Sequence, residues 1–243
     1  IIIPARMSSI RLPGKPLIDL EGIPMVIRVA QQAIKSKVGQ VAVACCEKEV
    51  FEVVKKYKIN AIMTDPNLPS GSDRVYQALH KINSFKDVKI IINLQGDMPT
   101  INPKSIKDLM SSLKKSSGDI ATLASEITDK REFSDPNVVK VVIANSKSEG
   151  KALYFSRQCV PFGDGPVYHH IGIYAFKKDA LHEFVNMKPS TLEKRERLEQ
   201  LRALEGGLTI NVKVIDDVPI GVDTQSDLVK VRSLIKGIIN KGK

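Results

Sequence analysis

Arg6, Arg11 and Lys15 lie within one short stretch, interleaved with Ser8, Ser9 and Gly14, directly behind the β-branched run Ile1-Ile2-Ile3 and Pro4. Long cations neutralise anionic oxygens, and small residues let backbone N–H groups approach them. A strand followed by such a loop therefore suits a phosphate-rich ligand. A P-loop needs a glycine five residues before its Gly-Lys pair and a Ser or Thr after it. Here Ser9 and Pro16 hold those places, and no G-x-G-x-x-G occurs, so neither common phosphate fingerprint applies. A solvated surface loop with ordinary cations has the same composition, and the segment alone leaves both readings open.

Asn93-Leu94-Gln95-Gly96-Asp97-Met98-Pro99 follows the strongest apolar run of the chain. Open α/β sheets place ligands at the carboxyl ends of their strands. Asp97 is then a hard oxygen donor facing the crevice, or simply an aspartate helping a tight turn. Gly221-Val222-Asp223-Thr224 supplies a second acid just before a helix, where Asp223 alone reads as a cap-region residue. Paired with Asp97 it suits Mg²⁺, which takes one or two carboxylates and leaves its other positions to phosphate oxygens and water. Pro69-Ser70-Gly71-Ser72-Asp73-Arg74 is a small-residue loop entering a helix. It fits an anion or a base edge, or an ordinary N-cap made by Ser72.

Adjacent histidines in an extended chain point to opposite faces, so His169-His170 is a poor chelating pair. One of them faces a polar substrate, or is a satisfied structural histidine. No Ser-His-Asp or Cys-His arrangement is readable, and Cys159 beside Val160-Pro161 reads as a packed small hydrophobe. Nothing calls for a covalent nucleophile.

These residues need elements to hold them. Strand-like runs at 1–3, 41–45, 61–63 and 88–94 alternate with helical patterns starting at Pro24, over 48–57, over 72–82 and after Asn102-Pro103. That alternation predicts βαβ units and a mainly parallel, Rossmann-like sheet flanked by helices. Thr224 to Asp227 resembles a capping box ahead of a closing helix with Leu228, Val231, Ile235 and Ile238 on one face. In between, the strand-like stretches 138–143, 152–155 and 171–176 have no long helices separating them. They predict a smaller mixed or antiparallel extension. Ser190 to Glu193 is a further capping box, starting a charged helix with Leu198, Leu201 and Leu204 on one face.

The 243 residues, 42% of them hydrophobic, suffice for one large α/β domain with a subregion. No apolar run approaches the roughly eighteen residues of a membrane span. The first residue lies inside a strand and is not Met, so a few native residues are expected before it; no signal peptide is visible. Three cysteines without zinc or disulfide spacing suit a reducing cytoplasm. The formal charge of +10 is compatible with nucleic acid, an anionic membrane or an acidic small substrate. The lysines are scattered among acids, aromatics make up 5% and Trp is absent, so platforms for stacking single strands are poorly supplied.

Taken together, the segments resemble the CMP-Kdo synthetases, or 3-deoxy-manno-octulosonate cytidylyltransferases, of the nucleotide-diphospho-sugar transferase-like group, over essentially the whole chain. Pro4-Ala5-Arg6, Arg11 to Leu17, Ser70 to Arg74, Gln95-Gly96-Asp97, Asp135 to Val142, Ala152 to Arg157, His170 to Tyr174, Leu198 to Arg202 and Gly221 to Thr224 carry the likeness, in order. The resemblance implies transfer of CMP from CTP to the anomeric hydroxyl of the acid sugar Kdo, with Mg²⁺ as cofactor, for lipopolysaccharide synthesis in the cytoplasm. It implies a homodimer, without nucleic acid or membrane insertion.

By the same resemblance Arg6, Arg11 and Lys15 contact the triphosphate, Ala5 and Ser9 complete the nucleotide loop, and Ser70, Gly71 and Arg74 lie on the cytidine side. Asp97 and Asp223 are the metal carboxylates and join Lys15 and Arg6 as the catalytic set. Gln95, Arg157, His170, Tyr174, Glu199 and Gln200 line the sugar pocket. Residues 1–128 and 206–243 would be mainly the nucleotide-binding core, and 129–205 the acceptor and dimerisation subregion. Three departures stand out: Met98 where relatives carry an acid, Ser72 for the usual Thr, and a short stretch between Pro161 and His169. Competing readings are a cytidylyltransferase for another acid sugar, such as a sialic acid or amino-Kdo, and a basic nucleic-acid-binding protein.

Overall fold

The computed structural model describes residues 1–8, 12–82, 87–144 and 148–241. Its elements run β1 Ile2–Ala5, β2 Asp19–Leu20, β3 Ile23–Pro24, α1 Met25–Ser36, β4 Ala42–Cys45, α2 Lys48–Lys56, β5 Asn60–Met63, α3 Gly71–His80, β6 Ile90–Asn93 and α4 Pro103–Lys115. They continue with β7 Ile120–Glu126, α5 Arg131–Ser134, β8 Lys140–Ala144, β9 Glu149–Ser156, β10 Tyr168–Lys177, α6 Lys178–Asn186, α7 Thr191–Glu196, α8 Gln200–Glu205, β11 Ile210–Val214 and α9 Gln225–Lys241. Two compact units result: Ile1–Val88 with Asn93–Ile106 and Pro219–Lys243, and Lys89–Ile92 with Lys107–Val218. Among the described residues no helix is long and apolar enough to cross a membrane.

In the first unit β5, β4 and β1 are parallel neighbours, with Ile2 beside Asn93 at the end of β6. The β-branched and small residues of β1 and β4 are almost entirely buried because helices cover the sheet. Apolar residues at helical spacing make this possible: Val26, Ile27, Val29, Ala30 and Ala33 of α1, Val50 and Val54 of α2, and Val75, Ala78 and Leu79 of α3 are all buried. A second cluster joins Leu12, Leu20, Met25 and Val222 to Leu228, Val231 and Ile235 of α9. The predicted capping box of α9 is present: Thr224 Oγ1 accepts from Asp227 N at 3.2 Å, and Asp227 Oδ2 accepts from Thr224 N at 2.9 Å.

The second unit carries the strand order β6-β10-β7-β11-β9-β8. β10 is antiparallel to β7 and to β8, β9 is antiparallel to β8 and to β11, and β11 is parallel to β7. Because β10 pairs with both β7 and β8, the five strands β10, β7, β11, β9 and β8 close into a ring. The α/β class, with a parallel helix-covered sheet and a mixed extension, is as expected.

Several local expectations need correction. Ser70, not Ser72, caps α3: its Oγ accepts from Asp73 N at 3.2 Å, while Ser72 is already inside the helix. The charged helix after Ser190 does not run through Leu204. It stops at Arg197, whose φ of 56° is left-handed, and α8 starts afresh at Gln200. Arg157 donates to the carbonyls of Glu196 and Arg197, giving that helix end the partners a continuing helix would have supplied. Cys159 is exposed rather than packed. The sequence reading assigned nothing to β7, although six of its seven residues are buried; Ala121, Thr122, Ala124 and Ser125 are too small or polar to announce a core strand. β11 and α6 went unread as well.

Candidate active site

The first unit contains a cavity of about 650 Å³ lined by Pro4, Ala5, Arg6, Ser8, Lys15, Pro16, Ser70, Gly71, Arg74, Gln95, Gly96, Asp97 and Asp223. It thus brings together the three segments picked out for chemistry and the second acid. Ser9 and Arg11 lie outside the described residues.

The cation-bearing loop is held by backbone contacts. Met7 N donates to Glu47 Oε1 at 3.0 Å, and Gly14 N donates to Met7 O at 3.2 Å. Gly14 sits at φ +70°, a conformation glycine adopts without penalty, and it precedes the short 3-10 turn Lys15–Leu17 with Pro16 buried. From this fixed base Lys15 extends its ammonium to Asp97 Oδ2 at 2.7 Å and Asp223 Oδ1 at 2.9 Å. Burial disfavours the charged form of Lys15, but the charge of Asp97 and hydrogen bonds to both acids outweigh it and raise its pKa. The acids meet because Val222 N donates to the Asp97 carbonyl at 2.9 Å, tying the turn after β6 to the entrance of α9.

Close packing shapes the cavity floor. A Cβ at Gly96 would lie 3.0 Å from the Pro4 carbonyl oxygen, so a side chain here would push this turn back from the β1 strand end by a few tenths of an ångström. Asn93, 1% exposed, donates to Ser72 Oγ at 3.3 Å and accepts from Gln95 Nε2 at 3.2 Å, which orients Gln95. Arg74 is 2% exposed, and its Nη1 donates to Thr64 Oγ1 at 2.9 Å and to the Asp65 carbonyl at 2.8 Å. The Ser70 hydroxyl donates to Asp73 Oδ2 at 2.7 Å while capping α3. Glu47, Thr64 and Asn93 had drawn no role from the sequence. Glu47 follows the carboxyl end of β4, and that position was its one available signal.

The remaining residues expected to bind substrate belong to the second unit. His170, 7% exposed, is bonded through Nε2 to Thr122 Oγ1 at 2.9 Å and packs its ring 5.5 Å from that of Tyr174. Burial, assisted by His169, pushes its pKa down to about 3, so its ring is neutral near pH 7. Burial, then Glu199, drives the Tyr174 hydroxyl well above its ordinary value. Gln200 is buried at the start of α8. Arg157 spends three of its five N–H donors on the carbonyls of Glu196 (2.8 Å), Pro136 (2.8 Å) and Arg197 (3.3 Å). A paired contact to a carboxylate would have to use the other two.

A loop of cations, a helix N-terminus and two converging acids thus surround one cavity. The Cytidylyltransferase family model matches residues 1–210, and the chain belongs to that family. Within it, the chain is 51% identical over 236 residues to the 3-deoxy-manno-octulosonate cytidylyltransferase of Sinorhizobium medicae, covering 97% of this chain and 94% of that one. It is 48% identical over 238 residues to the enzyme of the same name from Paramagnetospirillum magneticum, covering 97% of each. The solved structure of a CMP:2-keto-3-deoxy-manno-octonic acid synthetase complexed with CTP superposes with a TM-score of 0.90 at 36% identity, over 97% of each chain. A putative glucose-1-phosphate thymidylyltransferase from Bacillus anthracis shares the fold at a TM-score of 0.66 and 14% identity.

Proposed function

We propose that this chain transfers CMP from CTP to the anomeric hydroxyl of Kdo, giving CMP-Kdo and pyrophosphate for lipopolysaccharide synthesis. The observation that carries the reading is the single cavity in which Arg6 and Lys15, the α3 N-terminus with Arg74, and the acids Asp97 and Asp223 converge. The anomeric oxygen attacks the α-phosphorus in line and the bond to the pyrophosphate oxygen breaks. Arg6, Arg11 and Lys15 meet the charge developing on that leaving group, with Ala5 and Ser9 in the same loop. Ser70, Gly71 and Arg74 hold the cytidine side.

Asp97 and Asp223 would hold Mg²⁺. Two of their oxygens touch one ammonium, so they converge within reach of a single cation, and two carboxylates completed by phosphate oxygens are a typical magnesium set. When bound, the ion would polarise the phosphate oxygens and neutralise their charge. The acceptor roles fall to Gln95 in the first unit and to Arg157, His170, Tyr174, Glu199 and Gln200 in the second, Arg157 through its two remaining N–H donors to the sugar carboxylate and a neutral His170 through hydrogen bonding rather than proton transfer. Residues 129–205 would serve the acceptor and the contact of a homodimer acting in the cytoplasm. Pyrophosphate release with CTP and Kdo, set against a sialic acid and amino-Kdo, tests the assignment. Release that depends on Kdo is expected, and its absence overturns the reading.

A further inference from the structure

Lys15 contacts both acids of the pair at once, and this placement has a consequence for metal binding. Its backbone is pinned by Gly14, by the bond from Leu17 N to the Gly14 carbonyl at 2.9 Å, and by buried Pro16. The acids are pinned independently, through the Val222 to Asp97 backbone bond and the burial of Val222. The link between them is therefore a four-carbon side chain with rotatable bonds, ending in a compact point charge that can leave without disturbing either anchor.

We propose that Lys15 is the internal counter-ion of the Asp97–Asp223 pair and competes with the divalent cation for it, so that metal binds tightly only when a triphosphate draws the ammonium away. The inference rests on the reading of these two acids as metal carboxylates. A magnesium ion needs oxygen contacts of about 2.0–2.1 Å, and the ammonium already takes one oxygen from each acid at 2.7 and 2.9 Å. It also cancels one of the two carboxylate charges, and a divalent ion a few ångströms from it meets direct repulsion. A triphosphate reverses both effects, because it brings more negative charge than the two carboxylates and offers the ammonium charge-assisted hydrogen bonds in their place. Metal and nucleotide are then positively coupled, and the coupling must be reciprocal.

Mn²⁺ binding to the protein without nucleotide, followed by loss of the free-ion EPR signal at fixed ionic strength, tests the competition. Lys15→Met is expected to bind Mn²⁺ at least about tenfold more tightly than the wild type, one removed charge being the cause. Lys15→Arg, which keeps the cation, is expected to stay within a few-fold of the wild type and serves if Lys15→Met fails to fold. A companion measurement is CTP affinity with and without Mn²⁺: the enhancement by metal should shrink in Lys15→Met. Equal Mn²⁺ affinities for the wild type and Lys15→Met, with equal enhancement, overturn the competition. Asp97→Asn in both backgrounds separates the two ideas, since Mn²⁺ binding indifferent to that change removes the carboxylate site itself.

Discussion

Each unit holds a half-buried or buried lysine, and the two are satisfied in opposite ways. In the first unit Lys15 is held by two side-chain carboxylates from distant loops, and its pKa is raised. In the second unit Lys140 is fully buried, and its ammonium donates to three backbone carbonyls, those of Asp135 and Val138 at 2.8 Å and of Arg157 at 3.1 Å. Burial lowers its pKa, because carbonyl dipoles do not offset desolvation as whole charges do. Arg157 shares the pattern in part, with three donors held by carbonyls and the other two left for the acceptor it is proposed to bind. Cations held by acids can be exchanged for a ligand's charges. Cations held by backbone carbonyls serve as fasteners, since releasing them strands buried acceptors.

The contrast is open to attack at its strongest point first. Asp97→Asn or Asp223→Asn is expected to lower metal-dependent turnover by on the order of a hundredfold or more, with far-UV circular dichroism unchanged. Near-normal turnover in both variants would remove the two-carboxylate site. Next, Lys140→Met should cost about 3 kcal/mol in urea denaturation, because three buried carbonyls lose their donor, whereas Lys15→Met should cost about 1 kcal/mol or less. Equal losses would erase the distinction between fastener and exchangeable cation.

A further prediction concerns His170, whose effect shows only as pH falls. Its folded-state pKa of about 3 lies below the ordinary value of 6.5, so between these values the unfolded chain binds the extra proton. Stability contributed by the neutral ring is therefore complete above about pH 6.5 and is lost as pH falls toward 3. His170→Asn should flatten that part of the pH–stability curve measured by thermal melting, and an unchanged slope would show that other groups carry it.

Legibility in the sequence followed the same division. Strands β1 and β4 and helices α1 to α3 were readable because each buries an apolar pattern of the right period, whereas β5 buries only Ile62 and was readable from its short apolar run alone. β7 was not, since four of its buried residues, Ala121, Thr122, Ala124 and Ser125, are too small or polar to stand out as a core strand. In the site, Lys15, Asp97 and Asp223 were each nameable from local context, as a cation behind a strand, an acid after a strand and an acid before a helix. Glu47, Thr64 and Asn93 were not, because their roles consist of bonds to residues far along the chain.

Composition and periodicity by themselves determined the α/β class and the segments able to carry chemistry, and the resemblance of the ordered motifs implied a cytidine nucleotide as their ligand. Composition and periodicity are local, written in side-chain type and short-range spacing. Only the tertiary structure decided that Lys15 reaches acids 82 and 208 residues away, and that Arg157 commits most of its donors to the carbonyls of Pro136, Glu196 and Arg197. Such pairings depend on where packing brings distant loops, and a charge's partner is chosen by that proximity rather than by its neighbours in the chain.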